Sequence, residues 1–100
     1  MKRREILSLV VETLRSIQEM NGKEIGDINE DTVPIGQLPG FDSLTGIEFT
    51  IMVDNQIPLP KTVRLCVSDD EKKALSVGQI VNRIMDICGN SQQGVKNGQE

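Results

Sequence analysis

Apolar residues recur at helical spacing near both ends of this 100-residue chain. The first stripe predicts a helix over residues 3–19 and consists of Ile6, Leu9, Val10, Leu14 and Ile17. The second predicts a helix that opens with the capping residues Ser76 and Gln79 and contains Val77, Ile80, Val81, Ile84, Ile87 and Cys88. Asn21-Gly22 and Gly89-Asn90 are typical helix ends. Two amphipathic helices must each bury one face, so the pattern predicts an all-α fold in which they pack together.

A turn-rich stretch, Leu38-Pro39-Gly40-Phe41-Asp42-Ser43-Leu44, precedes a third apolar segment. Asp or Ser directly before such a segment satisfies the free N–H groups of a helix start. The sequence therefore predicts a helix over residues 43–54 with the Ser43 hydroxyl exposed, where the helix dipole would favour an attached phosphate. Two structural alternatives stay open. Asp42 and Ser43 are also ordinary helix caps, and a capping box at Thr45-Gly46-Ile47-Glu48 would start the helix two residues later.

The segments between these helices carry weaker signals. Residues 23–42 form a long connector rich in Gly, Pro, Asp and Asn, and a link of this length is usually functional. Residues 57–67 alternate like an extended segment, which predicts Val63, Leu65 and Val67 inward and Thr62, Arg64 and Cys66 outward. We therefore expect Cys66 to react with thiol reagents faster than Cys88. Ser68-Asp69-Asp70-Glu71 predicts a short helix to Leu75, and residues 91–100 predict a disordered tail after a domain of residues 1–90.

Composition excludes several functions. Eleven basic against fifteen acidic residues give a net charge of −4, which disfavours nucleic-acid binding and suits basic protein partners. Because the chain has no histidine, Ser-His and Cys-His catalysis and most zinc chemistry are excluded, so we expect no catalytic residue and no metal site. The two cysteines form no C-x-x-C pair. With no apolar stretch of membrane-spanning length and no signal peptide, we expect a cytoplasmic chain without stable membrane insertion, and an organelle form that has lost its transit peptide would look the same. We also expect a monomer.

The motif Asp42-Ser43-Leu44 at a helix start, in a small acidic helical chain, resembles the acyl carrier protein family. Leu38 and Gly40 are similar to the Leu-Gly approach of that family, with Pro39 as an insertion. The resemblance covers residues 3 to 88. It implies a four-helix bundle with a long loop between helices one and two and a short third helix, which we place at residues 68–75. It also implies that Ser43 carries 4'-phosphopantetheine derived from coenzyme A.

The family resemblance implies a carrier and not an enzyme. Acyl groups would be held as thioesters on the arm at Ser43 and presented to separate enzymes of fatty acid, polyketide or specialised lipid synthesis. The implied partners are a phosphopantetheinyl transferase and acyl-transferring or acyl-modifying enzymes with basic docking surfaces. An alternative is a carrier-like interaction module in which Ser43 is only a cap and the second helix binds a partner directly.

The second predicted helix is apolar on two sides. We assign Phe49 and Val53 to the core, because carboxylates are rarely buried unpaired and two of them flank the other side. That other side is the predicted docking strip, with Leu44, Ile47 and Ile51 as its apolar residues and Glu48 and Asp54 as its acidic rim. Gly46 lies inside the helix, where it costs about 1 kcal/mol relative to Ala. A glycine there would let a partner's backbone or the pantetheine arm approach closely.

Overall fold

The computed structural model describes residues 2–59, 63–68 and 72–96, with side chains up to Cys88. Across these residues there are four helices and no strand: α1 (Arg3–Met20), α2 (Pro34–Gln37), α3 (Ser43–Asp54) and α4 (Val77–Lys96). The predicted all-α class is therefore confirmed. The short helix is the second in chain order and not the third. It lies inside the connector, where the amides of Gln37 and Leu38 donate to the carbonyls of Val33 and Pro34 over 3.2 and 3.1 Å, although Ile35 and Gly36 have non-helical backbone angles.

Helix α1 is the central element, since it packs against both α3 and α4. Its end is a Schellman motif in which Lys23 N–H donates to the Gln18 carbonyl over 2.8 Å and Gly22 adopts a φ of 68°. The core is aliphatic apart from Cys66 and the two phenylalanines, Phe41 and Phe49. Its fully buried residues on the three long helices include Val10, Leu14, Ile17, Val53, Ile80, Val81 and Ile84.

The long connector of residues 23–42 is fastened to the N-terminal end of α4. The amides of Val77 and Gly78 donate to the carbonyls of Thr32 and Glu30 over 2.8 and 2.9 Å. The Glu30 carboxylate accepts a hydrogen bond from Arg3 over 2.6 Å, which ties the start of α1 to the same point. Ser76 and Gln79 form the predicted capping box around these contacts. A connector that looked unstructured in sequence thus supplies partners for two helix starts.

The described residues 72–75 do not form the predicted short third helix. They run back along the preceding segment, where Ser68 N–H donates to the Lys73 carbonyl over 2.8 Å and Leu75 N–H donates to the Cys66 carbonyl over 2.9 Å. Val67 and Ala74 form an antiparallel bridge. Residues 72–75 therefore pair with a neighbouring backbone segment, and residues 69–71 of the capping signature lie outside the described part.

The predicted alternation of residues 63–67 is wrong at one position. Leu65 is buried as expected and Arg64 is exposed, but Cys66 is also buried, with only 3% of its surface exposed. The chain bends at Leu65 and Cys66, so neighbouring side chains both face the core instead of alternating. Val63 and Val67 are half-buried, and Thr62 lies outside the described residues.

The burial of Cys66 reverses the expected order of thiol reactivity. Desolvation raises the pKa of the Cys66 thiol to about 12, so little of the nucleophilic thiolate forms at pH 8. Cys88 is only half-buried. We expect Cys66 to react with a maleimide or Ellman-type reagent about tenfold or more slowly than Cys88. Peptide mapping after a labelling time course measures both rates, and faster labelling of Cys66 would contradict the bend.

Helix α4 extends beyond its predicted end. The backbone stays helical through Gly89 and Asn90 to Lys96, since a glycine only weakens a helix that its neighbours continue. Residues 97–100 lie outside the described part, and the independence of the 91–100 tail from the fold stays a prediction. None of the described helices has the length and apolar character needed to cross a lipid bilayer.

Candidate functional site

The start of α3 is built by Asp42. Its carboxylate Oδ1 accepts hydrogen bonds from the backbone N–H of Thr45 over 3.0 Å and from the Thr45 hydroxyl over 3.1 Å. The Gly46 N–H donates to the Asp42 carbonyl over 2.9 Å. Asp42 is therefore the N-cap and Ser43 the first helical residue, which rejects the alternative helix start at Thr45.

The charge of Asp42 supports this cap. The pKa of its carboxyl is lowered, first by the backbone amide of Thr45 and then by the Thr45 hydroxyl, because both donate to the ionised form. A lowered folded-state pKa stabilises the fold above the unfolded pKa, and this contribution is lost as the pH falls through the folded value. At neutral pH the cap is therefore an ionised carboxylate directly beside Ser43.

Ser43 is exposed at this corner. Within the described residues its hydroxyl makes no hydrogen bond, whereas the neighbouring Thr45 is buried and its hydroxyl is used by the cap. The Ser43 hydroxyl is therefore not used by the described part of the fold. It projects from the positive end of a three-turn helix, a position that favours an attached anion.

The two faces of α3 divide as predicted. Phe49 and Val53 are fully buried, whereas the strip residues are exposed, with exposed fractions of 71% for Leu44, 41% for Ile47 and 56% for Ile51. Both rim carboxylates, Glu48 and Asp54, lie on exposed residues. Asp54 has an additional structural task, because its Oδ1 accepts a 2.7 Å hydrogen bond from the Leu59 amide. The structure thus places a continuous apolar strip with a carboxylate beside the exposed serine.

A small cleft of about 80 Å³ opens beside Ser43, between α3 and the chain around Cys66. Gly46 forms part of its wall and explains the close packing there. A Cβ at Gly46 would lie 3.3 Å from the Cys66 Cβ and 3.4 Å from the Ile35 Cδ1. Gly46 was expected to allow close approach of a partner's backbone or of the pantetheine arm. The space beside it is instead occupied by the protein's own residues Cys66 and Ile35. The lining residues are Ile35, Ser43, Gly46, Ile47, Thr50, Arg64, Cys66 and Val67.

Several of these lining residues were not predicted as part of a site. Thr50 lies one turn after Gly46, and its hydroxyl accepts a hydrogen bond from the Leu65 amide over 3.4 Å, so it holds the packed segment in place. Ile35 reaches the cleft from α2 in the connector, and Arg64 and Cys66 reach it from the segment after α3. The only sequence signal for this packing is the glycine inside a helix, because it implies a close approach without identifying the neighbour.

The turn before α3 sets the direction from which Ser43 is presented. Gly40 has a φ of 71°, and a side chain there would also meet Lys23. The Phe41 amide donates to the Leu38 carbonyl over 3.1 Å, and both of these side chains are buried. The predicted turn is thus held by its own hydrogen bond and by two apolar anchors in the core.

Comparison of the chain with protein-family models, with curated proteins and with solved structures gives no match. Among the residues that the structure describes, no three Asp, Glu or Cys side chains gather in an arrangement that would hold a metal ion.

Proposed function

We propose that this chain is an acyl carrier protein, with Ser43 as the residue that takes 4'-phosphopantetheine from coenzyme A. The arm's thiol would hold acyl groups as thioesters, and separate enzymes would act on them. The observation that carries the proposal is the exposed Ser43 hydroxyl at the first residue of α3, free of internal hydrogen bonds within the described part and placed directly after its Asp42 cap.

The surroundings of Ser43 fit the group. A phosphodiester at this oxygen would lie at the positive end of α3, where the peptide dipoles favour an anion. The adjacent strip of Leu44, Ile47 and Ile51 gives an apolar surface for the enzymes that must reach the arm. The acidic rim residues favour partners with basic surfaces.

This chain would take part in only one covalent step, the attachment of phosphopantetheine to Ser43. The Ser43 oxygen forms a bond to the phosphorus of the phosphopantetheine half of coenzyme A, and the pyrophosphate bond breaks. Adenosine 3',5'-bisphosphate leaves, and the serine proton passes to a base of the transferase. The chain itself presents the hydroxyl and a docking surface, while the thioester chemistry comes from the bound group and the partner enzymes.

Intact mass spectrometry tests the proposal directly. The purified chain is incubated with coenzyme A, magnesium and a phosphopantetheinyl transferase of broad specificity. We expect a mass increase of one phosphopantetheine group, and peptide mapping should place it on Ser43. No mass gain with several such transferases, under conditions in which an established carrier domain is fully modified, would refute the proposal.

The exposed apolar strip also favours the alternative function, an interaction module that binds a partner directly through α3. Under this alternative Ser43 is only the first helical residue. The mass experiment separates the two functions, because a module of this kind would stay unmodified while its strip still bound a partner.

The strip and its rim should govern recognition by the transferase. We expect Ile47→Ala and Glu48→Lys each to slow modification of Ser43 by roughly threefold to tenfold at low salt, with little change in melting temperature. Glu48→Lys should lose most of its effect at high salt because the attraction to a basic partner is screened. Glu19→Lys makes the same charge change at an exposed position on α1 and serves as the matched control. Equal slowing by both lysine variants would place the docking surface elsewhere.

A further inference from the structure

Gln18 joins the two ends of the long connector through one side-chain amide. It lies in α1 and is buried, with 1% of its surface exposed. Its Nε2 donates to the Glu24 carbonyl over 3.3 Å and to the Pro39 carbonyl over 2.8 Å. Glu24 begins the connector and Pro39 belongs to the turn before α3, so both hydrogens of a single amide close this loop.

The orientation of the Gln18 amide follows from its partners. The reverse orientation would set Oε1 against two carbonyl oxygens, which accept but cannot donate. In the orientation observed, Oε1 is buried and has no hydrogen-bond partner in the described part of the chain. A buried acceptor without a partner lowers the stability of the fold. A gain in global stability therefore does not explain why a glutamine occupies this position.

The carbonyl that Gln18 holds belongs to the turn that presents Ser43. On either side of Pro39 the turn is anchored by the buried side chains of Leu38 and Phe41. Pro39 and Gly40 themselves are exposed, and Gly40 takes a left-handed conformation. Among the described residues, the Gln18 amide holds the exposed tip of the turn by a side-chain hydrogen bond, three residues before Asp42 caps α3, and the Lys23 side chain lies against Gly40 beside it.

We propose that Gln18 is a positioning residue for modification at Ser43: its amide clamps the Pro39 carbonyl and thereby fixes the approach of residues 38–42 to the serine. The predicted effect of Gln18 on the reaction rests on the proposed function, because it requires that Ser43 is modified. The clamp itself is a property of the connector and is measured without any modification.

Removing the clamp should leave the global stability nearly unchanged. Gln18→Met keeps a similar length and volume and removes the unpartnered Oε1, and the two carbonyls that it releases belong to exposed residues. We expect the melting temperature to change by less than about 4 °C. Thr13→Val is the matched control, because it also removes a buried polar group from α1 but one whose hydroxyl bonds only to the Leu9 carbonyl of the same helix.

The effect on the reaction should appear in KM. When the turn is released, only a fraction of molecules presents Ser43 in the geometry that the transferase binds, and the apparent affinity falls by that fraction. We expect Gln18→Met to raise the KM of the chain for a phosphopantetheinyl transferase by about fivefold or more, with kcat little changed. Thr13→Val should keep the wild-type KM.

Steady-state modification kinetics and amide hydrogen exchange on the full-length chain test the inference together. Faster exchange of the Phe41 amide in Gln18→Met, with the core amides of α1 and α4 unchanged, together with the raised KM, supports it. The inference is overturned if the Phe41 amide of Gln18→Met exchanges at the wild-type rate, or if Gln18→Met and Thr13→Val have the same KM. If the wild-type chain is not modified by phosphopantetheine, the proposed function and the role of Gln18 in the reaction both fail. The hydrogen-exchange result then still decides whether the Gln18 clamp exists.

Discussion

Ser43→Ala is expected to abolish the mass gain that coenzyme A and a phosphopantetheinyl transferase produce on the wild-type chain. Ser43 carries the exposed hydroxyl at the first residue of α3, and the neighbouring Thr45 hydroxyl is buried and bonded to Asp42. The expected change is from full modification to none. Intact mass spectrometry under conditions that fully modify the wild type measures it.

The variant should fold normally, which makes the result interpretable. The Ser43 side chain makes no hydrogen bond within the described residues, and Ala is a better helix former than Ser. Thr45→Val is the matched control, since it removes the other hydroxyl of this turn and should still be modified. A phosphopantetheine mass on Ser43→Ala would contradict the assignment of the site.

Phe49→Ala is expected to lower the free energy of unfolding by about 3–5 kcal/mol, because it removes a fully buried aromatic side chain and leaves a cavity. Ile47→Ala, two residues earlier on the same helix, removes a side chain that is 41% exposed and should cost well under half as much. Urea denaturation of both variants followed by circular dichroism gives the two differences on the same scale.

This pair of substitutions tests which face of α3 is available to a partner. Val53→Ala should lower the free energy of unfolding clearly, as Phe49→Ala does, because both residues lie on the buried face. Leu44→Ala should lower it little, as Ile47→Ala does, because both residues lie on the exposed strip. A larger loss of stability for Ile47→Ala than for Phe49→Ala would mean that the strip packs inside the molecule. The docking surface would then have to lie on another element.

The helix bounds of α1 and α3 could be read from the sequence because their signals are local. A stripe at helical spacing and an Asn-Gly end place α1 within one residue of the observed Arg3–Met20. The Asp42 cap and the apolar run place α3 at the observed Ser43–Asp54. The division of α3 into a buried and an exposed face also followed from periodicity, because a carboxylate rim identifies the side that stays in water.

The predictions that fail are those in which a single local pattern is overridden by backbone pairing, a bend or a helix that continues. The capping signature at residues 68–71 predicted a helix, but the backbone around Cys66 pairs with residues 73–75 instead. Cys66 was placed outward by strict alternation, and the bend at Leu65 and Cys66 removes that alternation. The glycine signal at the end of α4 also failed, because it marks a possible helix end and does not enforce one.

By itself, the sequence determined the serine at a capped helix start and the apolar strip beside it, since both depend on residues within one or two helical turns. Only the tertiary structure decided what surrounds them. Gln18 and Pro39 are 21 positions apart, and the contact of Cys66 with Gly46 joins a loop to a helix. Such contacts follow from how the connector folds back over the helices, and no local period or cap encodes which distant backbone a buried amide or a glycine will meet.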